Sequence, residues 1–483
     1  MAVSSDIETR LWIDGKFVES SDGTTFRLYS PATGEVVAEV HEASRDDANA
    51  AVAAAKAAFP SWSALSPAQR GVYLKKLADL LRHSQQDMAR LEAMSMGRPV
   101  STYWDAAAAA QQFDHYAESA WQAQGTSSLN TPGYVNVTFR QPYGVAAVII
   151  PWNLPALFFA KKAAPALAAG NTVVLKSSEK APLTSIFIAS LLEKAGFPPG
   201  VLNIISGHGP LSGSVLSSHM DVRILTFTGS CRTGKIIMEA AAKSNLKEII
   251  LELGGKSPAI IFDDTNLDEA VEATKTSILF NSGQTCMANS RIYVQSSISD
   301  RFIEKFKTSF SQIQAGDPTD TETLYGPVAD TVQFETVLKY LDAGRKSGEV
   351  AAGGGKLPGQ DGKGLFLEPT IFIRTKEDAQ VMKEEIFGPV VNINTFSSER
   401  EVLDKANDSE FGLYASVFTA NINRAMRFAK ALDAGTVAIN CTSPTTPFDM
   451  PFGGQKQSGV GVEGLYHSLD NFLETKTVIV KVG

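Results

Sequence analysis

The sequence predicts an α/β fold built on parallel sheets. From Tyr143 onward, short continuous apolar runs alternate with helix-length segments, and the same rhythm restarts after Gly254. Strands that are apolar throughout, rather than at alternate positions, belong to parallel sheets covered by helices on both faces. The chain has 483 residues, 44% hydrophobic and 20% charged. That length and balance accommodate two or three domains with a large core.

The elements follow in order. Residues 46–59 and 67–95 are Ala/Leu-rich with helical periodicity. The segment from Gly125 to Gln141 alternates in the β manner at Tyr134–Phe139 and reads as an extended excursion from the main body. Strands are then predicted over 145–150, 172–178, 201–206, 223–229 and 247–253. Helices are predicted between them, over 156–169, 183–196, 210–218 and 232–243. A strand at 259–262 and a helix near 266–280 open a second α/β unit that runs to about residue 465. The Gly-rich stretch 351–364 reads as an exposed connection, and 475–482 as a last strand. Ligands of such sheets are expected at the carboxyl ends of the strands.

Composition excludes several classes. A net charge of −8 without a basic block argues against nucleic acid and anionic membrane as partners. The richest apolar stretch, Val145–Gly170, is interrupted by Pro151, Pro155, Lys161, Lys162 and Pro165, so it does not read as a membrane span. The first residues lack an apolar leader core, and Cys231, Cys286 and Cys441 are too few for a disulfide framework. A cytoplasmic protein is expected. The six histidines show no metal-ligand spacing, so no metal is expected.

The chemistry concentrates in a few motifs. Cys286 lies in FNSGQTCMA (280–288), among small and amide-bearing residues, and Glu252 follows an apolar run in LELGGKSP (251–258). A thiol, a carboxylate and a Gly-rich loop between strands point to covalent thiol catalysis coupled to hydride transfer. The run Gly229–Lys235 has the spacing of a phosphate-binding loop, but Ile236 stands where Mg²⁺ needs Ser or Thr, so an NTPase is rejected. The start of that helix, with Gly229 and Ser230, still suits a pyrophosphate or nicotinamide. Gly459, Gly461 and Gly464 match GxGxxG by letter only, since no strand precedes them; a tight packed turn is expected. Lys176 and Glu179 follow a strand, where a carboxylate accepts hydrogen bonds from an adenosine ribose and repels a 2′-phosphate. Asn153, within Pro151–Pro155, is a fixed amide donor suited to an oxyanion.

Taken together, PWN (151–153), KSSE (176–179), FTGS (227–230), LELGGKSP, FNSGQTC, EEIFGPV (384–390) and PFGGQKQSGVGVEG (451–464) resemble the aldehyde dehydrogenase superfamily over essentially the whole chain. The resemblance implies oxidation of an aldehyde to a carboxylic acid with NAD, and with NADP less favoured. It makes Cys286 the nucleophile, Asn153 with the Cys286 N–H the oxyanion donors, and Glu252 the base that hydrolyses the thioester. A carboxylate at Glu252 separates hydrolytic members from those that pass the acyl group to coenzyme A. Cofactor contacts would fall on Ile149, Trp152, Lys176, Glu179, Gly209, Gly229, Ser230, Leu253, Glu385 and Phe387.

The fold so implied has a Rossmann-like cofactor domain (1–123 and 143–252) and an α/β catalytic domain (253–468). A small β oligomerisation element (124–142 and 469–483) completes it, giving a homodimer or homotetramer. By position, Leu154, Leu157, Phe158, Lys161, Phe280, Thr285, Met287 and Phe452 would line the substrate mouth. Most are apolar and suit a hydrophobic aldehyde. Lys161 either presents a cation to the mouth or reaches past it to solvent.

Overall fold

The computed structural model describes residues 7–357 and 363–482. Part of the Gly-rich 351–364 connection therefore lies outside the described residues. Two large sheets organise the chain. The first has eight strands, of which five are parallel: 202–205, 172–176, 145–149, 222–228 and 248–252 in sheet order. In chain order these are third, second, first, fourth and fifth. The order reverses between Val145–Ile149 and Val222–Thr228, and a crevice opens at such a reversal. All five positions of Val145–Ile149 and of Thr172–Lys176 are buried, as expected for strands covered on both faces. One core packs Ala146, Val148, Val173 and Leu175 against the helices on one face. A second packs Val145, Ala147, Ile149 and Val174 on the other.

The second sheet has seven strands, with 390–396, 291–295, 258–261 and 414–418 parallel at its centre. A separate three-stranded antiparallel sheet joins Leu473–Lys481, Tyr134–Pro142 and Ser127–Ser128. It unites the extended excursion with the chain's last strand.

Several local details differ from expectation. The predicted 67–95 helix breaks at Ser84 into Pro67–His83 and Gln85–Met96. Ser84 leaves helical geometry (φ −99°, ψ 11°), and the second helix restarts after it. The predicted 210–218 helix opens with a wide π turn over Gly209–Gly213 before the α turn Ser214–Ser218. The Gly459–Gly464 turn does more than connect. Gly459–Val460 forms a short edge strand on Glu248–Glu252, with Gly459 opposite Glu252. A Cβ at Gly459 would lie 2.6 Å from the Leu251 carbonyl oxygen, so only glycine permits that approach. Among the described residues no helix is long and apolar enough to cross a membrane.

Candidate active site

Cys286 stands where two cavities meet, and the preceding loop puts it there. The Leu267–Leu279 helix ends in a tight turn, Phe280–Gly283, in which Asn281 (φ 50°) and Ser282 (φ 55°) are left-handed. Non-glycine residues adopt that region at a cost, and it clusters at functional sites. Side-chain bonds hold the strain. Asn281 Nδ2 donates to the Asn153 carbonyl (3.1 Å), Ser282 Oγ to the Gly326 carbonyl (2.7 Å), and Asn153 Nδ2 to the Gln284 carbonyl (3.0 Å). Gly283 (φ 74°) lies so close to the Gly388 carbonyl that a Cβ there would collide with it. The sequence-distant FNSGQTC and EEIFGPV motifs are thus packed face to face.

The first cavity is a cleft of about 960 Å³ at the carboxyl ends of the first sheet's strands. Ile149, Trp152, Lys176, Glu179, Gly209, Gly229, Ser230, Leu253, Glu385 and Phe387 all line it, with Asn153 and Cys286 at its inner end. Its features fit an extended dinucleotide. Gly209 has open space where a side chain would stand. Thr228 Oγ1, on the lining, is buried without a partner. Glu385 reaches across from the second unit, and its Oε1 accepts from the Gly255 N–H (3.1 Å). A Cβ at Gly254 would collide with that carboxylate. Trp152 and Phe387 meet edge to face at 5.4 Å. Lys176 is buried and donates to the Ser177 carbonyl (2.9 Å).

The second cavity, about 320 Å³, reaches Cys286 from the other side. Leu154, Leu157, Phe158, Lys161, Thr285, Met287 and Phe452 line it. Phe280 does not: it sits behind the wall, stacked on Trp104 with ring centroids 6.3 Å apart. The sequence reading missed a whole side of this tunnel. The Asp105–Ser119 helix contributes Gln111, Gln112 and His115, and Trp104 precedes it. Their only sequence signal is a few polar and aromatic side chains in an Ala-rich helix. Lys161 faces this cavity, its Nζ 4.4 Å from the centroid of the Phe452 ring. A cation over an aromatic face is attracted by the ring quadrupole.

Comparison with known proteins agrees with this arrangement along the whole chain. The aldehyde dehydrogenase family profile matches residues 17–478. The chain belongs to the aldehyde dehydrogenase family. It is 44% identical to an aldehyde dehydrogenase of Davidiella tassiana, over 98% of this chain and 96% of that one. It is 42% identical to human retinal dehydrogenase 2, over 98% and 92%. An aldehyde dehydrogenase from Bacillus cereus, solved as an NAD⁺ complex, superposes with a TM-score of 0.96 at 40% identity, covering 99% of this chain and 97% of that one. The chain is therefore an NAD(P)-dependent aldehyde dehydrogenase in fold and class.

The electrostatics of this dehydrogenase centre are dominated by buried carboxylates. Burial pushes the Cys286 thiol up to about 12, and the charges of Glu385 and Glu252 add to that. Burial also raises Glu252 well above the usual carboxyl range, with Glu463 raising it further and Lys161 and Lys162 opposing. Glu252 lines neither cavity. It is buried, its charge reaches the thiol, and both its oxygens lack hydrogen-bond partners. Glu385 is pushed up to about 7 by burial. Glu463 goes the other way. Burial would raise it, but Lys162 and Lys161 outweigh that and hold it below the ordinary range. Its Oε1 accepts from Lys162 Nζ (2.6 Å) and Thr226 Oγ1 (3.1 Å).

Proposed function

We propose that the chain oxidises an aldehyde to a carboxylic acid through a thioester on Cys286, deacylated by water that Glu252 activates. The observation that carries this reading is the position of Cys286 on the walls of both cavities. A nucleophile there can hold a carbonyl carbon entering by the narrow tunnel while facing whatever fills the wide cleft.

Cys286 Sγ attacks the carbonyl carbon as thiolate, and the carbonyl oxygen becomes an oxyanion. Asn153 Nδ2 carries two N–H bonds. One is committed to Gln284, which fixes the amide, and the other is free for the oxyanion beside the Cys286 N–H. A preorganised donor of this kind contributes about 3 kcal/mol to transition-state stabilisation. The ten residues above would hold NAD in the cleft, where it would supply the hydride acceptor. Loss of hydride from the tetrahedral carbon leaves a thioester. Glu252 then takes a proton from water, whose oxygen attacks the acyl carbon and releases the thiolate of Cys286. Its carboxylate has no protein donor to compete with that water. With the thiol pushed up to about 12, it must lose its proton before attack, and Glu252 is one of the two carboxylates, with Glu385, whose charges reach it.

NAD is preferred over NADP in this reading, because Glu179 on the cleft wall would repel a phosphate bearing nearly two charges. The tunnel suits an aldehyde with an apolar body. Lys161, whose ammonium lies over the Phe452 ring and faces the tunnel, adds affinity for a distal carboxylate. Reduced cofactor should form from a simple aldehyde without coenzyme A, faster with NAD than with NADP. An absolute requirement for coenzyme A would refute the hydrolytic reading.

A further inference from the structure

Arg98 is fully buried, yet it lines neither cavity. Its Nη1 lies 2.7 Å from Asp105 Oδ1 and 3.8 Å from Glu92 Oε2, and both carboxylates are fully buried as well. Its Nη2 donates to the Thr102 carbonyl (3.0 Å). Three rings surround the guanidinium: the Tyr103, Trp104 and Phe280 centroids are 5.3, 5.6 and 5.2 Å from Cζ. Taking one cation and two carboxylates out of water is expensive, and well-packed apolar side chains often serve stability as well or better. Stability alone is a weak reason for this cluster.

Its contacts lead to both halves of the reacting centre. Phe280 begins the strained turn Phe280–Gly283, three residues before Cys286, and Arg98 lies over its ring. Trp104, stacked on Phe280, is the tunnel wall on that side. Glu92 accepts from Thr184 Oγ1 (3.4 Å) and lies against the backbone N–H of Ala156. Ala156 is in the first turn of the helix that starts just after Asn153. The peptide next to Arg98 bears on the loop as well. The Gly97 carbonyl is packed tightly on Gly326, whose own carbonyl accepts from Ser282.

We propose that Glu92, Arg98 and Asp105 form a positioning cluster that keeps the nucleophile loop and the oxyanion-donor turn in register. Arg98 reaches the loop through Phe280, and Glu92 reaches the turn through the first residues of the Pro155–Ala169 helix. None of the three touches the reacting atoms. The proposal rests on Cys286 and Asn153 having the roles given above. Burial and the charge of Asp105 raise Glu92 well above the usual carboxyl range, so Glu92 is the member that a neutral amide should replace best. Burial would lower Arg98, but Asp105 and Glu92 outweigh it and keep the guanidinium charged.

The test compares Arg98→Met, Asp105→Asn and Glu92→Gln in the full-length enzyme. Rapid-mixing absorbance gives the hydride burst, steady state gives KM for each substrate, and iodoacetamide, with peptide mapping to separate Cys286 from the free Cys231 and Cys441, reports the reactivity of Cys286 without turnover. Arg98→Met should slow the burst by about 10- to 100-fold, the size expected for a misplaced reacting group, with KM for NAD within about twofold. Loosening of the loop should speed alkylation of Cys286 by about fivefold or more, because its thiol is held protonated by burial. Asp105→Asn should change both readouts in the same directions. Glu92→Gln should stay within about threefold of wild type in both. If Arg98→Met lowers the melting temperature but leaves the burst and the alkylation rate at wild-type values, the cluster is structural only and the proposal is wrong. Should Arg98→Met not fold, Asp105→Asn decides: wild-type values in both readouts overturn the proposal. A wild-type enzyme without any burst would defeat the thioester reading, while the alkylation rates would still test the positioning.

Discussion

Glu252 and Lys161 are the residues whose surroundings make the sharpest demands. Burial and Glu463 hold the Glu252 carboxyl above its usual range. A base must be unprotonated, so deacylation should accelerate as pH rises through that raised value rather than levelling off near pH 5. Glu252→Gln should keep a hydride burst and lose most steady-state turnover, because an amide cannot take the proton from water. Rapid mixing separates the two phases. Loss of the burst with the turnover would move Glu252 to thiol activation. Lys161→Met keeps the stem over Phe452 and removes the charge. It should lower kcat/KM for an aldehyde with a distal carboxylate by about 5- to 150-fold, corresponding to roughly 1–3 kcal/mol for a charge-assisted bond. A neutral aldehyde of equal length should change little. If both respond alike, the ammonium plays no part in recognition.

At the scale of elements, the buried Lys162–Glu463 pair ties the helix after Asn153 to the Gly-rich turn that forms an edge strand on Glu252. Lys162→Met leaves Glu463 buried and unpaired, a loss of about 3–5 kcal/mol by analogy with other buried pairs. Denaturant unfolding at pH 7 checks it, and wild-type stability would refute it. The folded Glu463 value lies below the unfolded one of about 4.3. The pair therefore stabilises above that pH, and its contribution is lost as pH falls through the lowered folded value. Elements of this kind differ in how well they can be read from sequence. Cys286 and Asn153, which the structure brings to one cleft, stood out because each lies within a few residues of its own loop and strand signals; Glu252, read from the same kind of signal, lies off both cavity walls. The parallel strands were legible because both faces are covered and every position is apolar. The Gln112 and His115 wall, the Arg98 cluster and the Lys162–Glu463 pair were not. Each joins segments far apart in the chain, and each member alone looks like an ordinary polar residue of a helix or a loop. Phe280 failed for a related reason: adjacency to the catalytic loop predicts a tunnel wall, but the left-handed turn directs its ring behind Trp104.

At the scale of the whole molecule, the three-stranded sheet stands apart from the two large sheets and exposes apolar side chains. Phe139 is 53% exposed and Val480 45%, and the strand register places both on the same face. We propose that this sheet is where copies of the chain associate, as the family resemblance implies. Exposed apolar groups clustered on one element mark interaction surfaces. Val480→Glu should shift the mass measured by light scattering towards the monomer, since it buries a charge in the contact. An unchanged mass would place the interface elsewhere.

The central claim is that Cys286 carries the acyl group between oxidation and hydrolysis. Glu252→Gln enzyme mixed with NAD and aldehyde, then quenched in acid, should show by intact mass an adduct equal to the aldehyde less one hydride and one proton. Peptide mapping should locate it on Cys286, and the Cys286→Ala variant should lack it while still binding NAD. An enzyme that forms reduced cofactor at a wild-type rate with no such adduct, or a Cys286→Ala variant that still turns over, would contradict the account.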